Sequence, residues 1–265
     1  MNNRPRISII TIVLDAANTL ERTIKSVLGQ DFYAYEYFII DGGSTDGSLD
    51  IIKRYQEQLS GWESRPDNGI SEAFNRGLEL ASGEWIGFIN ADDWYNPGAF
   101  REIAEQAGNS EIFYGPIQYW EGNKIQEWFD ADHRLLHREM TLNHPATFVR
   151  KSVFTRLGGF DPTYRYAMDY EFFLRCRLAG VHFQKTGHTL ANISYGGRSD
   201  DFMAAFSEVC RAKIELGCVS PFRAQLYYHY QILRRHIRCL LDTWGGQTLI
   251  SYWRRHLAAV KKITE

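Results

Sequence analysis

The acidic residues with chemical potential sit directly behind short runs that read as strands. Asp15 lies just beyond Ile7 to Val13, Asp41 closes Tyr35 to Ile40, and Asn90-Ala91-Asp92-Asp93 follows Trp85 to Ile89. Loop carboxylates are hard oxygen ligands. One or two of them hold Mg²⁺ or Mn²⁺ when phosphate oxygens fill the remaining positions. Asp92 and Asp93 repel each other unless a cation comes between them, so either they bind one or one of them caps a short helix before Trp94. Asp15 and Asp41 either hold ribose hydroxyls and a base edge or close turns. Asp46 reads as a helix cap, and Gly42-Gly43 as a turn that needs positive φ. Met168-Asp169-Tyr170-Glu171 opens a helix, where Asp169 is either a cap favoured by the macrodipole or a base that takes a hydroxyl proton. Glu171 is the fallback base, although two residues along a helix it points elsewhere. His144, before Pro145, lines an acceptor pocket or is structural.

The elements that must carry these groups are legible from periodicity. Ile7 to Val13 reads as a strand buried on both faces, and Asn18-Thr19-Leu20-Glu21 as a capping box ahead of Leu20, Ile24, Val27 and Leu28 at helical spacing. Strand Tyr35 to Ile40 leads to a helix with Leu49, Ile52 and Tyr55 on one face. A short strand near Trp62 precedes a helix with Ile70, Phe74 and Leu78, and Trp85 to Ile89 is a further strand. That rhythm predicts βαβ units and a mostly parallel sheet, with the acids at the carboxyl edge where such sheets bind ligands. Later come strands at Ile112 to Tyr114, Thr147 to Val149 and Val181 to Lys185. A hairpin spans Ile117 to Trp128, and helices run over Lys151 to Leu157, Asp169 to Ala179 and from Phe202 to Ile214.

A chain of 265 residues with 44% apolar and 23% charged residues supports one large α/β domain and excludes wholesale disorder. Cys176, Cys210, Cys218 and Cys239 form no CxxC pair, which predicts reduced thiols and no zinc site. The first apolar run is too short for a signal peptide and no run reaches membrane-spanning length, so a cytoplasmic setting is expected. Residues 220–265 carry +6 where the rest carries −8. This sets a basic tail apart from an acidic body, predicting a catalytic domain over 1–219 and an appended element over 220–265. The acidic body disfavours nucleic acid.

Taken together, these residues resemble the inverting GT-A glycosyltransferases of family 2, bacterial branch, over about Ile7 to Gly197. Thr11-Ile12-Val13-Leu14-Asp15 is similar to the first-strand motif, which usually ends in Asn. Asp41-Gly42-Gly43-Ser44-Thr45-Asp46-Gly47-Ser48 matches the second-strand motif residue for residue. Pro66-Asp67-Asn68-Gly69-Ile70, Asn75-Arg76-Gly77 and Ala81 to Ile86 also match. Asn90-Ala91-Asp92-Asp93 stands where the family has its metal-binding Asp-x-Asp, with Asn90 replacing the first acid. Gly158-Gly159-Phe160-Asp161 followed by Asp169-Tyr170-Glu171 is similar to the segment that carries the base, with Met168 replacing a frequent acid.

The resemblance implies a Rossmann-like GT-A fold, a mostly parallel central sheet flanked by helices, with a C-terminal helical extension. It implies Asp169 as base, Asp92 and Asp93 on Mn²⁺ or Mg²⁺, and His144 and Glu171 on the acceptor side. Donor contacts fall to Thr11, Asp15 and Asp41 on the first two strands, Asn68 and Asn75 at the third helix, and Asn90 and Ala91. The expected reaction is addition of one sugar from a nucleotide sugar, UDP first, to a glycan or lipid-linked saccharide. The Gln-x-x-Arg-Trp motif of processive synthases is absent.

In the tail, Tyr227, Tyr228, Tyr230, Ile232, Leu233, Ile237, Leu240 and Leu241 interleave with Arg234, Arg235 and Arg238. After Gly245-Gly246, Leu249, Trp253 and Leu257 interleave with Arg254 and Arg255. Two basic amphipathic helices fit an anionic membrane surface, the inner face of the plasma membrane, or a hairpin packed on the core or on a second copy in a homo-oligomer. A sugar-1-phosphate nucleotidyltransferase would need a Gly-rich loop after the first strand, and Thr11 to Asn18 has no glycine. A non-catalytic nucleotide- or carbohydrate-binding module is the alternative if Asn90 abolishes the metal site. A dehydrogenase would need Gly-x-Gly-x-x-Gly after a strand, and none occurs.

Overall fold

The computed structural model describes residues 7–195, 202–244 and 262–263. Its first half is the alternation read from periodicity: β1 (Ile7–Val13), α1 (Leu20–Leu28), β2 (Tyr35–Asp41), α2 (Ser48–Tyr55), β3 (Gly61–Ser64), α3 (Ile70–Leu80) and β4 (Trp85–Asn90). β1 is wholly buried apart from Ile12 because parallel neighbours flank it and helices cover the sheet. The expected capping box at Thr19 is absent. Its hydroxyl donates to the Ala16 carbonyl, and α1 starts without a side-chain cap.

The second half adds β5 (Trp94–Tyr95), α4 (Ala99–Gln106), β6 (Ile112–Tyr114), β7 (Ile117–Glu121), β8 (Lys124–Phe129), β9 (Thr147–Arg150), α5 (Lys151–Leu157), α6 (Met168–Leu178), β10 (Phe183–Lys185) and β11 (Ala191–Ser194). Then come α7 (Phe202–Glu215), α8 (Pro221–Trp244) and β12 (Lys262–Ile263). The main sheet has seven strands in the order β10-β6-β9-β4-β1-β2-β3. All its pairings are parallel except those of β9, which runs antiparallel to β4 and β6. β9 therefore begins at the edge where β1, β2, β3 and β4 end.

A second sheet, β12-β8-β7-β11-β5, stands beside that edge. It was not legible as a sheet, since β5 has two residues and β11 four. The helical reading of the tail holds for α8. The second tail helix lies outside the described residues, and Lys262–Ile263 pairs with β8 as a strand rather than continuing a helix.

Phenylalanines join the elements that converge on the sheet's ligand edge. Phe74 of α3 stacks on Phe88 of β4 at 4.5 Å, Phe88 meets Phe160 at 5.2 Å, and Phe160 meets Phe172 of α6 at 5.1 Å. Each such pair adds about 0.5–1.5 kcal/mol beyond area burial. α6 is thereby keyed to β4.

Candidate active site

Strand register decides which side chains can meet. Val13 of β1 pairs with Asp41, Ile12 pairs with Asn90, and Asp41 pairs with Ser64, so the acid-bearing loops leave the sheet at one level. Because β9 is antiparallel, His144 arrives at that level from the other direction. It closes a bridge: its Nδ1 lies 3.2 Å from Asp169 Oδ2 and its Nε2 3.2 Å from Asn90 Oδ1. Asn90 Nδ2 donates to Asp93 Oδ2 at 3.3 Å, which leaves Oδ1 as the acceptor for His144. The imidazole thus sits between the Asn90 amide and the Asp169 carboxylate. An edge contact with Phe74 at 5.3 Å holds the imidazole plane.

Asp169 is the second residue of α6. Its Oδ1 accepts the Tyr170 N–H at 2.8 Å, and the side chain keeps 17% of its surface open. The start of α6 is not capped by a neighbour in sequence. Glu208 of α7 accepts the N–H groups of Arg165, Tyr166 and Ala167 at 2.9, 2.7 and 2.8 Å. These N–H groups belong to the N-cap Ala167 and the two residues before it, so α7 fixes the turn that leads into α6 and Asp169. The sequence offers no signal for this contact, which spans more than forty residues.

The Asn90–Asp93 segment is held from α1 and from the second sheet. Arg22 donates to the Asp92 carbonyl and to Ser194 Oγ, both at 2.8 Å, and its guanidinium lies 3.6 Å from the Trp94 ring centre. Ser194 Oγ donates to the Asp92 carbonyl and Ser194 N–H to Asp93 Oδ1. With its backbone pinned, the half-buried Asp92 takes no side-chain hydrogen bond from any described residue. Asp93 differs from the sequence expectation. Its carboxylate is buried and turned inward onto Ser194 and Asn90, and burial, then the charge of Asp92, pushes its pKa well above the usual carboxylate range. The cap reading fails too, because Trp94–Tyr95 is a strand. Among the described residues no three His, Cys, Asp or Glu side chains gather as a metal cage.

Several expected donor contacts are committed to structure instead. The Thr11 side chain is fully buried, its hydroxyl 2.9 Å from the Tyr37 hydroxyl. Asp41 has no exposed surface, and its oxygens accept Gly43 N–H, Ser44 N–H, Ser44 Oγ and Ser64 Oγ. It shapes the Gly42-Gly43-Ser44 loop. A Cβ on Gly42 would sit 2.6 Å from Asp67 Oδ2, so glycine there lets the two loops touch. Asn75 spends its amide on the backbone of Phe160, donating to its carbonyl at 2.7 Å and accepting its N–H at 2.9 Å. Glu171 is buried in a paired contact with Arg175, which also holds the Gly159 carbonyl. Both acceptor-side and fallback-base roles therefore lose Glu171, which points away from the cleft as its helical offset requires.

Asp15 remains exposed at the mouth, with φ +47 and Oδ1 accepting the Thr45 N–H at 2.8 Å. Asn68 is exposed at the start of α3, where its N–H and side-chain amide donate to Glu72. Ala91 is buried. Asp46 does not take the cap position expected of it: the N-cap of α2 is Gly47, with φ +99 and no side-chain cap, while Asp46 accepts Ser48 N–H in the preceding turn and ties Ala17 N–H. A cavity of 390 Å³ between α3 and α5 is lined by Leu78, Glu79, Lys151 and Thr155; Asp92, Asp169 and His144 do not line it.

The arrangement is one open carboxylate at a strand end and one acid held by a histidine at a helix start. Comparisons with known proteins show the family and the fold. Residues 8–173 match the model of glycosyl transferase family 2. A PGL/p-HBAD biosynthesis glycosyltransferase of Mycobacterium bovis is 32% identical over 182 residues, covering 65% of this chain and 70% of the relative. The fold is similar to Staphylococcus aureus TarS 1-349 in complex with UDP-GlcNAc, with TM-score 0.65 and 16% identity, covering 94% of this chain and 79% of that one. It is also similar to the mannosyltransferase PcManGT of Pyrobaculum calidifontis in complex with GDP-Man and Mn²⁺, with TM-score 0.64 and 14% identity, covering 95% and 79%. The fold is thus the mixed α/β architecture of these transferases, and the chain belongs to glycosyl transferase family 2, as a glycosyltransferase.

Proposed function

We propose that the protein transfers one hexose from a nucleotide sugar, UDP being the first choice, to a hydroxyl of a lipid-linked saccharide, with inversion, in surface-polysaccharide synthesis at the inner face of the plasma membrane. The observation that carries this reading is the Asp169 carboxylate held between His144 and the Tyr170 N–H beside the Asp92 loop. In the proposed step Asp169 takes the acceptor's hydroxyl proton while that oxygen forms its bond to the anomeric carbon. The bond to the diphosphate oxygen breaks, and its electron pair leaves with the diphosphate. Attack from the side opposite the leaving group makes an α donor yield a β product.

The open Asp92 carboxylate suits Mg²⁺ or Mn²⁺, which commonly take one or two protein carboxylates and complete their shells with phosphate oxygens and water. Such an ion would supply charge to the diphosphate as it leaves. Asp15 at the mouth and Asn68 at α3 are the exposed polar groups proposed to meet the nucleoside. Asn90 and Asp93 serve this site by holding His144 and the loop. Residues 220–265 are proposed as an appended element that meets the membrane, consistent with the absence of any described helix long and apolar enough to cross one.

The test is kinetic. Asp169→Asn is expected to keep donor affinity within about threefold while transfer falls by about 10²–10⁴. Asp92→Ala is expected to weaken donor binding only when Mn²⁺ or Mg²⁺ is present. Near-normal turnover by Asp169→Asn would remove the base.

A further inference from the structure

α8 carries a surface that the transfer chemistry does not use. Phe222, Leu226, Tyr230, Leu233 and Ile237 recur at intervals of four, four, three and four. At about 100° per residue they fall within an arc of about 80°. All five are exposed, between 41% and 73%. The opposite face of α8, with Ala224 and Gln231 buried and Tyr227 half-buried, packs on the body. The stripe is therefore turned outward along a helix of 24 residues, about 36 Å long.

Between the stripe and the body lies a cleft of 310 Å³. Arg138, Lys213, Arg223 and Arg234 line it, four cations against the carboxylate of Glu139. Arg234 lies 3.5 Å from Glu139, which leaves the balance at the cleft positive. Lys213 is held deep, donating to the Arg138 carbonyl at 2.6 Å with its ammonium 3.5 Å from the Tyr227 ring centre. Burial lowers Lys213 to about 8, so a neighbouring anion would stabilise its charged form. Tyr230 lines the cleft and also belongs to the exposed stripe. On the helical wheel Arg223 and Arg234 border that stripe on the side facing the cleft.

We propose that this cleft receives the phosphate of an anionic phospholipid while the Phe222–Ile237 stripe enters the interfacial region of the bilayer. The inference rests on the membrane reading given above and assigns it a site. Charge selects the occupant. An apolar face bordered by arginines and joined to a cationic cleft complements an anionic lipid surface. A second copy packed antiparallel on the same stripe would bring arginine borders against each other. Each arginine near such a surface strengthens binding about fivefold.

The experiment is sedimentation of the full chain with vesicles of phosphatidylcholine alone and of phosphatidylcholine with phosphatidylglycerol, at fixed salt. The proposal expects at least tenfold stronger partitioning to the anionic vesicles. Arg138→Ala with Arg223→Ala should lower it about 25-fold, and Leu226→Glu with Leu233→Glu should abolish it. All four positions are exposed, and donor binding checks that each variant is folded. Equal partitioning of the native chain to both vesicles would overturn the proposal, as would a double-arginine variant that keeps its anionic preference. A dimer by sedimentation equilibrium that Leu226→Glu and Leu233→Glu dissolve, with vesicle binding unchanged, would assign the stripe to a second copy. Calorimetric binding of inorganic phosphate, with no vesicle preference, would assign the cleft to free phosphate. Vesicle binding without any nucleotide-sugar turnover would refute the transfer reading and leave this site standing.

Discussion

At the scale of single residues, the bridge Asp169–His144–Asn90–Asp93 orients Asp169, the proposed base. Loss of the imidazole frees Asp169 to rotate, and a misplacement of about 1 Å can cost about 10²-fold in rate. His144→Ala is therefore expected to lower kcat about 10–100-fold with little change in the donor KM. His144→Asn, whose amide can donate to Asp169 from the Nδ1 position, should recover part of it. Equal loss in both variants, or a loss confined to KM, would assign His144 to the acceptor pocket instead. The place of Asp169 at a helix start was legible in the sequence, and the resemblance alone singled it out as the proposed base. Its partner was not, since the meeting depends on β9 running antiparallel, and four residues of strand do not declare their direction. Asp41, Asn75 and Thr11 looked like ligand contacts because residue type alone does not reveal where a polar atom has already been spent.

At the scale of elements, α7 acts on the site through Glu208. Glu208→Ala leaves three backbone donors in the turn leading into α6 without their acceptor. The expected cost is about 1–3 kcal/mol in urea unfolding, with kcat falling more than donor affinity. A variant as stable and as active as the native chain would show that α6 holds its own start. A second consequence concerns α7 and pH. Lys213 titrates at about 8 in the folded chain, below its ordinary 10.5, so the fold favours its neutral form. The cost of keeping it charged is fully present below about pH 8 and is relieved as pH rises toward the unfolded value, so its contribution to stability grows across that window. Lys213→Met should gain most over the native chain at pH 7 and progressively less by pH 10, measured as the difference in Tm. A difference that does not vary with pH would contradict the assignment. β1 to β4 and their helices could be read from the sequence because long buried runs alternate with amphipathic ones. The second sheet could not: its strands β5 and β11 are too short for periodicity, and they pair through contacts about a hundred residues apart.

At the scale of the whole molecule, two sheets share one job. The main sheet delivers Asp15, Asp41 and Asn90 to one edge, and the second sheet pins the Asp92 backbone through Ser194 on the far side of that edge. The acidic body and the basic 220–265 region are proposed to separate chemistry from attachment, a division that the charge distribution of the sequence suggests. The most direct test is incubation of the native chain with a panel of nucleotide sugars, Mn²⁺ and a lipid-linked saccharide, with the released nucleotide identified. The account predicts nucleoside diphosphate, UDP first, matched mole for mole by glycosylated acceptor and abolished by Asp169→Asn. Release of pyrophosphate, or diphosphate release that Asp169→Asn leaves intact, would contradict it.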